Sequence, residues 1–328
     1  MNNKVLVISG EHVLKCFPMK DAIDVMKSAF SIISNPDNPI PQRTALEMKN
    51  ENADALIMPV YTKSDERFAI KIAAIHRDNP SKNLPLIHSV ILLFNSVTGE
   101  PLAFLDAGTI TAIRTGAGCG LATDILSRKN SSVAAIFGAG VQARYQLEAV
   151  CNVREIKYVQ LFNIDTESSK KFIAEMSSKL NVKIEMSENT LELKNADIIC
   201  TATTASSPIF EDKNIADGTH INAIGSYKPD VREIPSLTVK RAKVVVDSKS
   251  SCLKEAGDLI IPINEGTIKK DHIYAELGEI INGKAKPRLN DNEVTFFKSV
   301  GSAVQDLSST MYIFNKAKDL GLGEEISL

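Results

Sequence analysis

An apolar, β-prone run, followed directly by a segment with two glycines and then by a helix signal, limits the folds open to this chain. Residues 133–137 read Val-Ala-Ala-Ile-Phe, without the polar alternation of a half-exposed strand. Such a run is typical of a strand buried on both faces of a parallel sheet. Gly138 permits a tight turn, Gly140 lets the backbone approach a pyrophosphate, and Ala143 allows close packing of helix and strand. The pattern predicts a dinucleotide site at the start of the helix, where unpaired N–H groups face phosphates.

Strand and helix signals on either side of this unit predict two domains, as a length of 328 residues also suggests. Strands predicted at 158–162, 198–201, 220–224 and 244–247, with helices at 141–151 and 167–180, imply a parallel sheet. Upstream, strands predicted at 55–60, 68–75, 89–94 and 102–106 imply an antiparallel sheet flanked by helices at 19–33, 109–126 and 301–318. The predicted class is therefore α/β, with a Rossmann-type parallel sheet domain (128–301) inserted in an α+β domain (1–127 plus 302–328).

Bulk properties exclude several other classes of protein. The formal net charge of −2 favours neither nucleic acid nor an anionic membrane as a partner, and no apolar run reaches the roughly 18 residues of a spanning helix. The N-terminus lacks a signal-peptide core, and the five cysteines form no CxxC pair. No His, Cys or carboxylate spacing resembles a metal site. We therefore expect a cytoplasmic protein without disulfides or metal.

The end of the second predicted parallel strand bears on the choice of cofactor. An acceptor there can bind the ribose hydroxyl of NAD(H), whereas an arginine suits the 2′-phosphate of NADP(H). Asn163 and Asp165 are acceptors, and no arginine follows directly. NAD(H) is therefore favoured, although Lys170 and Lys171 leave NADP(H) open as an alternative.

Three basic residues in the first third of the chain suggest an anionic substrate. Arg43 follows a proline-rich turn, Lys71 lies inside the apolar run 68–73, and Arg114 lies near the start of a helix. A lysine inside an apolar strand needs a charged partner or a lowered pKa. Arginine is well suited to bind a carboxylate through two hydrogen bonds. From spacing alone, these could also be unrelated surface charges or salt-bridge partners.

Together with these features, the sequence resembles the ornithine cyclodeaminase/mu-crystallin family over nearly its whole length. The matching segments lie around Lys71, His76, Asn79-Pro80, Leu84-Pro85, Thr98-Gly99, Pro101 to Ala103, Asp106, Thr111 to Thr115, Gly138 to Ala143, Thr201 to Thr203, Ile221 to Ser226 and Lys298 to Gly301. The resemblance implies a Rossmann domain and a second domain that binds substrate and forms a homodimer.

The family also implies roles for individual residues. Arg43 and Arg114 would bind the substrate carboxylate, and Lys71 would lie beside the reacting carbon and nitrogen as the catalytic group. The cofactor would contact residues from five parts of the chain. These are Thr115, then Gly138, Ala139, Gly140, Val141 and Gln142, then Asn163 and Asp165, then Thr201, Ala202 and Thr203, and finally Ser226.

One position bears on the reaction. Cyclodeaminases of this family carry an aspartate where this chain has Tyr227, and Asp230 lies three residues later, beyond Pro229. A phenol stays protonated at neutral pH and cannot replace a carboxylate base. We therefore expect an NAD(P)H-dependent reductase of a cyclic imino acid, with Δ1-pyrroline-2-carboxylate reduced to L-proline. The alternatives are ornithine cyclodeaminase, an alanine or other amino-acid dehydrogenase, and a mu-crystallin-like binding protein without activity.

Overall fold

The structure is a computed structural model that describes residues 4–37, 41–63 and 66–327. The chain divides into two compact units. The terminal unit comprises the chain up to Arg114 and from Ser302 onward, and the central unit comprises Thr115–Gly301. No helix in the described part of the chain is both long enough and apolar enough to cross a membrane.

The strands are β1 (Lys4–Ile8), β2 (Thr44–Met48), β3 (Ala53–Tyr61), β4 (Arg67–His76), β5 (Ile87–Asn95), β6 (Pro101–Asp106), β7 (Val133–Phe137), β8 (Tyr158–Phe162), β9 (Lys183–Met186), β10 (Ile198–Thr201), β11 (His220–Ala223), β12 (Lys243–Val246), β13 (Ile273–Glu276), β14 (Thr295–Lys298) and β15 (Glu324–Ser327). The helices are α1 (Gly10–Cys16), α2 (Met19–Ile33), α3 (Ala107–Leu126), α4 (Val141–Val153), α5 (Thr166–Leu180), α6 (Ser236–Arg241), α7 (Lys249–Glu255), α8 (Gly257–Asn264), α9 (Leu277–Ile281) and α10 (Ala303–Asp319).

The terminal unit contains one seven-stranded sheet in the order β15-β1-β6-β5-β4-β3-β2. Neighbouring strands from β6 to β2 run antiparallel, as the alternating patterns predict. The sheet is nevertheless mixed, because β1 pairs parallel with β6. Along β4, the side chains of Ala69, Lys71 and Ala73 are buried, and the intervening Ile70 and Ile72 lie on the opposite face. The buried face packs against α10, which also contacts α1 and α2.

The opposite face of this sheet carries a continuous apolar strip. Ile72 pairs with Ile57, and Ile70 pairs with Leu92, which in turn pairs with Phe104. Ile72 and Phe104 are 37% and 38% exposed. These five residues are called the outer strip below. A contiguous apolar surface of this kind is unusual on a protein without partners.

The central unit contains an eight-stranded, all-parallel sheet in the order β13-β12-β14-β11-β10-β7-β8-β9. Chain order runs outward from β7 to β9 on one side and from β10 to β11 on the other. The carboxyl ends of β7 and β10 therefore flank a topological switch point, where open α/β sheets bind ligands. Helices α4 and α5 cover one face, with Leu147 and Phe172 in its core, and α6 to α8 cover the other. The predicted Rossmann-type α/β fold is confirmed.

Candidate active site

The glycine loop after β7 has the geometry that a pyrophosphate requires. Gly138 has φ +96°, and a Cβ there would lie 2.7 Å from the carbonyl oxygen of Ala202, so only glycine fits. A Cβ on Gly140 would meet nothing within 4 Å, so the backbone there is open to a ligand. Gly140 begins α4 without a side-chain cap, which leaves the first N–H groups of a thirteen-residue helix available for an anion. The loop therefore fits a dinucleotide.

The other predicted residues of this loop occupy distinct environments. Ala139 is buried, Gln142 is half-buried, and Val141 is largely exposed. Arg144, one turn into α4, donates hydrogen bonds to the carbonyl oxygens of Ala139 and Gly140 and forms an ion pair with Glu175 on α5. Arg144 therefore holds the outer side of the loop, a role that the sequence motif did not indicate.

The loop after β8 places both predicted ribose acceptors at the start of α5. The Asp165 carboxylate accepts a hydrogen bond of 2.7 Å from the backbone N–H of Ser168 and caps the helix. The hydrogen bonds from Ser168 lower the pKa of Asp165, which keeps it ionised. The side-chain amide of Asn163 donates to the backbone oxygen of Asp165 and to the hydroxyls of Ser168 and Ser169. The negative charge of Asp165 at this helix terminus repels a second anion there.

The loops after β10 and β11 meet at a residue that the sequence did not single out. The hydroxyl of Thr201 and both the hydroxyl and the N–H of Thr203 donate to the carboxylate of Glu233. The backbone N–H of Ser226 donates to the same carboxylate, and its hydroxyl donates to the carbonyl oxygen of Val231. The hydroxyls of Thr201 and Ser226 are therefore committed within the protein.

Three further positions of interest lie in the central unit. Thr115 lies on α3 and is half-buried. Tyr227 is 38% exposed, and Asp230 is exposed. None of the hydrogen bonds described for the Glu233 carboxylate involves Tyr227 or Asp230.

In the terminal unit, Asp306 joins two of the three predicted basic residues. Its carboxylate accepts from the Lys71 Nζ at 2.7 Å and from the Arg114 Nε at 3.1 Å. Lys71, Arg114 and Asp306 are 5%, 5% and 1% exposed. Gln305 accepts from Arg114 at 3.4 Å, and Thr111 accepts from Lys71 at 3.4 Å. The structure thus brings together Lys71 and Arg114, which the sequence singled out, at Asp306, which carries no sequence signal of its own.

The electrostatics of this cluster favour a protonated lysine that can still release its proton near neutral pH. Burial lowers the pKa of Lys71 to about 8, assisted by the charges of Arg114 and Arg43 and opposed by Asp306. Burial alone would raise the pKa of Asp306, but Lys71 and Arg114 lower it below its usual range. Arg43 itself is half-buried. Asp306 is one carboxylate in contact with two cations, Lys71 and Arg114, so these three groups retain positive charge that a substrate carboxylate can neutralise.

Comparison with known proteins finds similarity over nearly the whole chain. A family model described as the ornithine cyclodeaminase/mu-crystallin family matches residues 3–321. A Δ1-pyrroline-2-carboxylate reductase from Bacillus cereus is 39% identical over 324 residues, which cover 98% of this chain and 99% of that protein.

Two solved structures are similar over nearly the whole chain. One is a Thermococcus litoralis Δ1-pyrroline-2-carboxylate reductase in complex with NADH and L-proline, at 42% identity and a TM-score of 0.94, covering 98% of this chain and 100% of that one. The other is an archaeal alanine dehydrogenase dimer with bound NAD, at 30% identity and a TM-score of 0.92, covering 98% and 99%.

Proposed function

This chain belongs to the ornithine cyclodeaminase/mu-crystallin family, and from that premise we propose that it reduces Δ1-pyrroline-2-carboxylate to L-proline with NADH. The observation that carries the proposal is the buried cluster of Lys71, Arg114 and Asp306, which joins a proton donor to carboxylate-binding charge. The similar reductases of Bacillus cereus and Thermococcus litoralis support this substrate. The chain is thus an oxidoreductase that acts on a C=N bond.

The reaction converts C=N into CH–NH by adding a hydride to carbon and a proton to nitrogen. NADH, when bound, supplies the hydride. Arg114 and Arg43 bind the substrate carboxylate and thereby orient the ring. Lys71 donates a hydrogen bond and then its proton to the ring nitrogen, and a pKa of about 8 suits a general acid at neutral pH. Asp306 holds the ammonium group of Lys71 in place while remaining ionised.

The two units have different roles in the proposed reaction. The terminal unit holds the substrate and provides the dimer interface. The central unit holds the dinucleotide, with the pyrophosphate at Gly138 and Gly140. NAD(H) is the favoured cofactor because the carboxylate of Asp165 disfavours a phosphate at the start of α5. The NADH and NAD complexes of the similar proteins support this choice, and NADP(H) is the weaker alternative.

The protein functions in the cytoplasm as a homodimer. None of the five cysteines forms a disulfide in the described structure, which suits a reducing compartment. The outer strip offers an apolar surface for a second copy, and the similar archaeal alanine dehydrogenase is a dimer.

The test is a comparison of substrates by NADH absorbance. We expect rapid NADH oxidation with Δ1-pyrroline-2-carboxylate, slower oxidation with pyruvate and ammonium, and no ammonia from ornithine with catalytic NAD⁺. Replacing Lys71 with Met should lower kcat by about 10²–10⁴-fold while the KM for NADH changes little. Ammonia release from ornithine, or faster turnover of pyruvate, would identify a cyclodeaminase or an alanine dehydrogenase instead.

A further inference from the structure

One buried carboxylate joins the loops after β10 and β11. The Oε1 atom of Glu233 accepts from the N–H and the hydroxyl of Thr203, at 2.8 and 2.7 Å. Its Oε2 atom accepts from the hydroxyl of Thr201 and from the N–H groups of Gly225 and Ser226, at 2.8, 2.9 and 3.3 Å. Glu233 is fully buried. Three of these five donors are backbone N–H groups, which can only donate, so the geometry suits an ionised carboxylate.

The approach of the two loops leaves no room for a side chain. A Cβ on Gly225 would lie 2.5 Å from the Glu233 carboxylate and 2.5 Å from the carbonyl oxygen of Thr203. The position of each loop therefore depends on the other and on the carboxylate between them. Ala202 follows β10 directly and lies against Gly138, and Thr203 is the next residue. Glu233 is thus connected to the glycine loop through Thr203 and the adjacent Ala202.

A second layer fixes Glu233 itself. The backbone N–H groups of Glu233 and Ile234 donate to the Asp258 carboxylate at 2.7 and 2.9 Å. Asp258 forms a buried ion pair of 2.7 Å with Lys298, and the Lys298 ammonium donates to the carbonyl oxygen of Ser226. Ser226 belongs to the loop after β11 and also donates to Glu233. The contacts through Asp258 and Lys298 therefore fix both the Glu233 carboxylate and the loop that it binds.

The charges around Glu233 act on its pKa in opposite directions. Burial and then Asp258 raise the pKa of Glu233, while Lys298 and the hydrogen bonds from Thr203 act in the opposite direction. Burial alone would lower the pKa of Lys298, but Asp258 and Glu233 together raise it, so Lys298 stays charged. Because the charges of Glu233, Asp258 and Lys298 influence one another, removal of any one of them disturbs the other two.

We propose that Glu233 is a positioning residue for the dinucleotide: it holds the loops after β10 and β11 in the arrangement that receives NADH at the switch point. The residue acts through Thr201, Thr203 and Gly225 rather than by contact with the ligand. This inference rests on the proposed function, because it requires the central unit to bind NADH. Thr201 then contributes to NADH binding through its hydrogen bond to Glu233.

The test is calorimetric titration of the full-length protein with NADH. In Glu233→Gln, an NH2 group replaces one carboxylate oxygen and faces N–H or O–H donors, so the loops separate. We expect at least about tenfold weaker NADH binding, with the KM for Δ1-pyrroline-2-carboxylate within about twofold of wild type. The matched control is Asp197→Asn. Asp197 accepts from the N–H groups of Ser132 and Val133 at the amino edge of the same sheet. Its loss should reduce stability but leave NADH affinity within about twofold.

A second pair of variants tests the proposal even if Glu233→Gln fails to fold. Thr201→Val keeps the shape but removes one donor to Glu233 and should weaken NADH binding about threefold, whereas Thr201→Ser keeps the hydroxyl and should bind as wild type. Wild-type affinity in Glu233→Gln, or equal losses in Glu233→Gln and Asp197→Asn, would overturn the proposal. Wild-type turnover of the imino acid reports on the proposed function separately.

Discussion

At the scale of single residues, the ion pair between Lys71 and Asp306 sets the pH range in which the site can donate a proton. Lys71 has a pKa of about 8, so it loses its proton, and its role as an acid, above that pH. We expect kcat/KM for the imino acid to fall about tenfold per pH unit on the alkaline side. Because Asp306 raises the pKa of Lys71, Asp306→Asn should move this falling limb to lower pH. Arg114 and Arg43 remain in this variant, and both lower the pKa of Lys71.

The measurement is the pH dependence of kcat/KM in wild type, Asp306→Asn and Asp197→Asn. Asp197 lies in the other unit and should leave the limb unchanged. A limb that stays in place or moves to higher pH in Asp306→Asn would contradict the assignment of Lys71 as the acid.

The sequence indicated Lys71 and the glycine loop because each has a local signal. For Lys71 the signal is a charge inside an apolar strand, and for the glycine loop it is the order strand, glycine turn, helix. Asp306 and Glu233 have no such signal. An acid in the first turn of a helix is ordinarily a stabilising charge, and nothing near Asp306 in the sequence points to Lys71. The donors that bind Glu233 include Thr201 and Thr203, about thirty positions earlier. Roles that depend on distant partners become visible only when the fold brings the partners together.

At the scale of elements, the contact between α3 and α4 determines how closely the glycine-loop helix can pack. A Cβ on Gly116 would lie 2.5 Å from the carbonyl oxygen of Tyr145 and 2.8 Å from its Cβ. We therefore expect Gly116→Ala to destabilise the protein by about 1–3 kcal/mol, as overpacking does, and to weaken NADH binding by displacing α4. Urea unfolding and NADH titration would measure both effects.

The matched control lies on the same helix. A Cβ on Gly108 would meet its nearest neighbour at 3.7 Å, an ordinary contact. Because alanine is the better helix former by up to about 1 kcal/mol, Gly108→Ala should be neutral or stabilising. Equal destabilisation by the two substitutions would show that helix propensity, and not the contact with Tyr145, decides the outcome.

Element prediction succeeded where periodicity extends over several residues. The predicted strands at 55–60, 68–75 and 89–94 correspond to β3, β4 and β5, and α4 and α5 begin within one residue of their predicted starts. Six strands had no sequence prediction: β1, β2, β9, β13, β14 and β15. Each has four or five residues, and β2 and β15 are mostly exposed edge strands. Segments this short contain too few residues to establish a period of two, and equally short strands such as β7 and β12 were predicted from continuous apolar runs instead.

At the scale of the whole molecule, the outer strip predicts the oligomeric state. Burial of exposed isoleucine and phenylalanine side chains against a second copy is favourable, because it removes apolar surface from water. A charge there would have to be buried without a partner, which is unfavourable. We therefore expect the double variant Ile72→Asp, Phe104→Asp to raise the dimer dissociation constant at least about a hundredfold, which corresponds to roughly 2.8 kcal/mol.

Sedimentation equilibrium over a range of concentrations would measure this constant, with circular dichroism to establish that the variant is folded. Ile164 provides the control, since it is a fully exposed isoleucine in the turn before α5 of the central unit, and Ile164→Asp should leave the dimer intact. Equal dissociation of both variants would point to a general effect of added negative charge. If the double variant remains a folded dimer, the outer strip is not the interface. The surface joining two copies must then lie elsewhere on the chain.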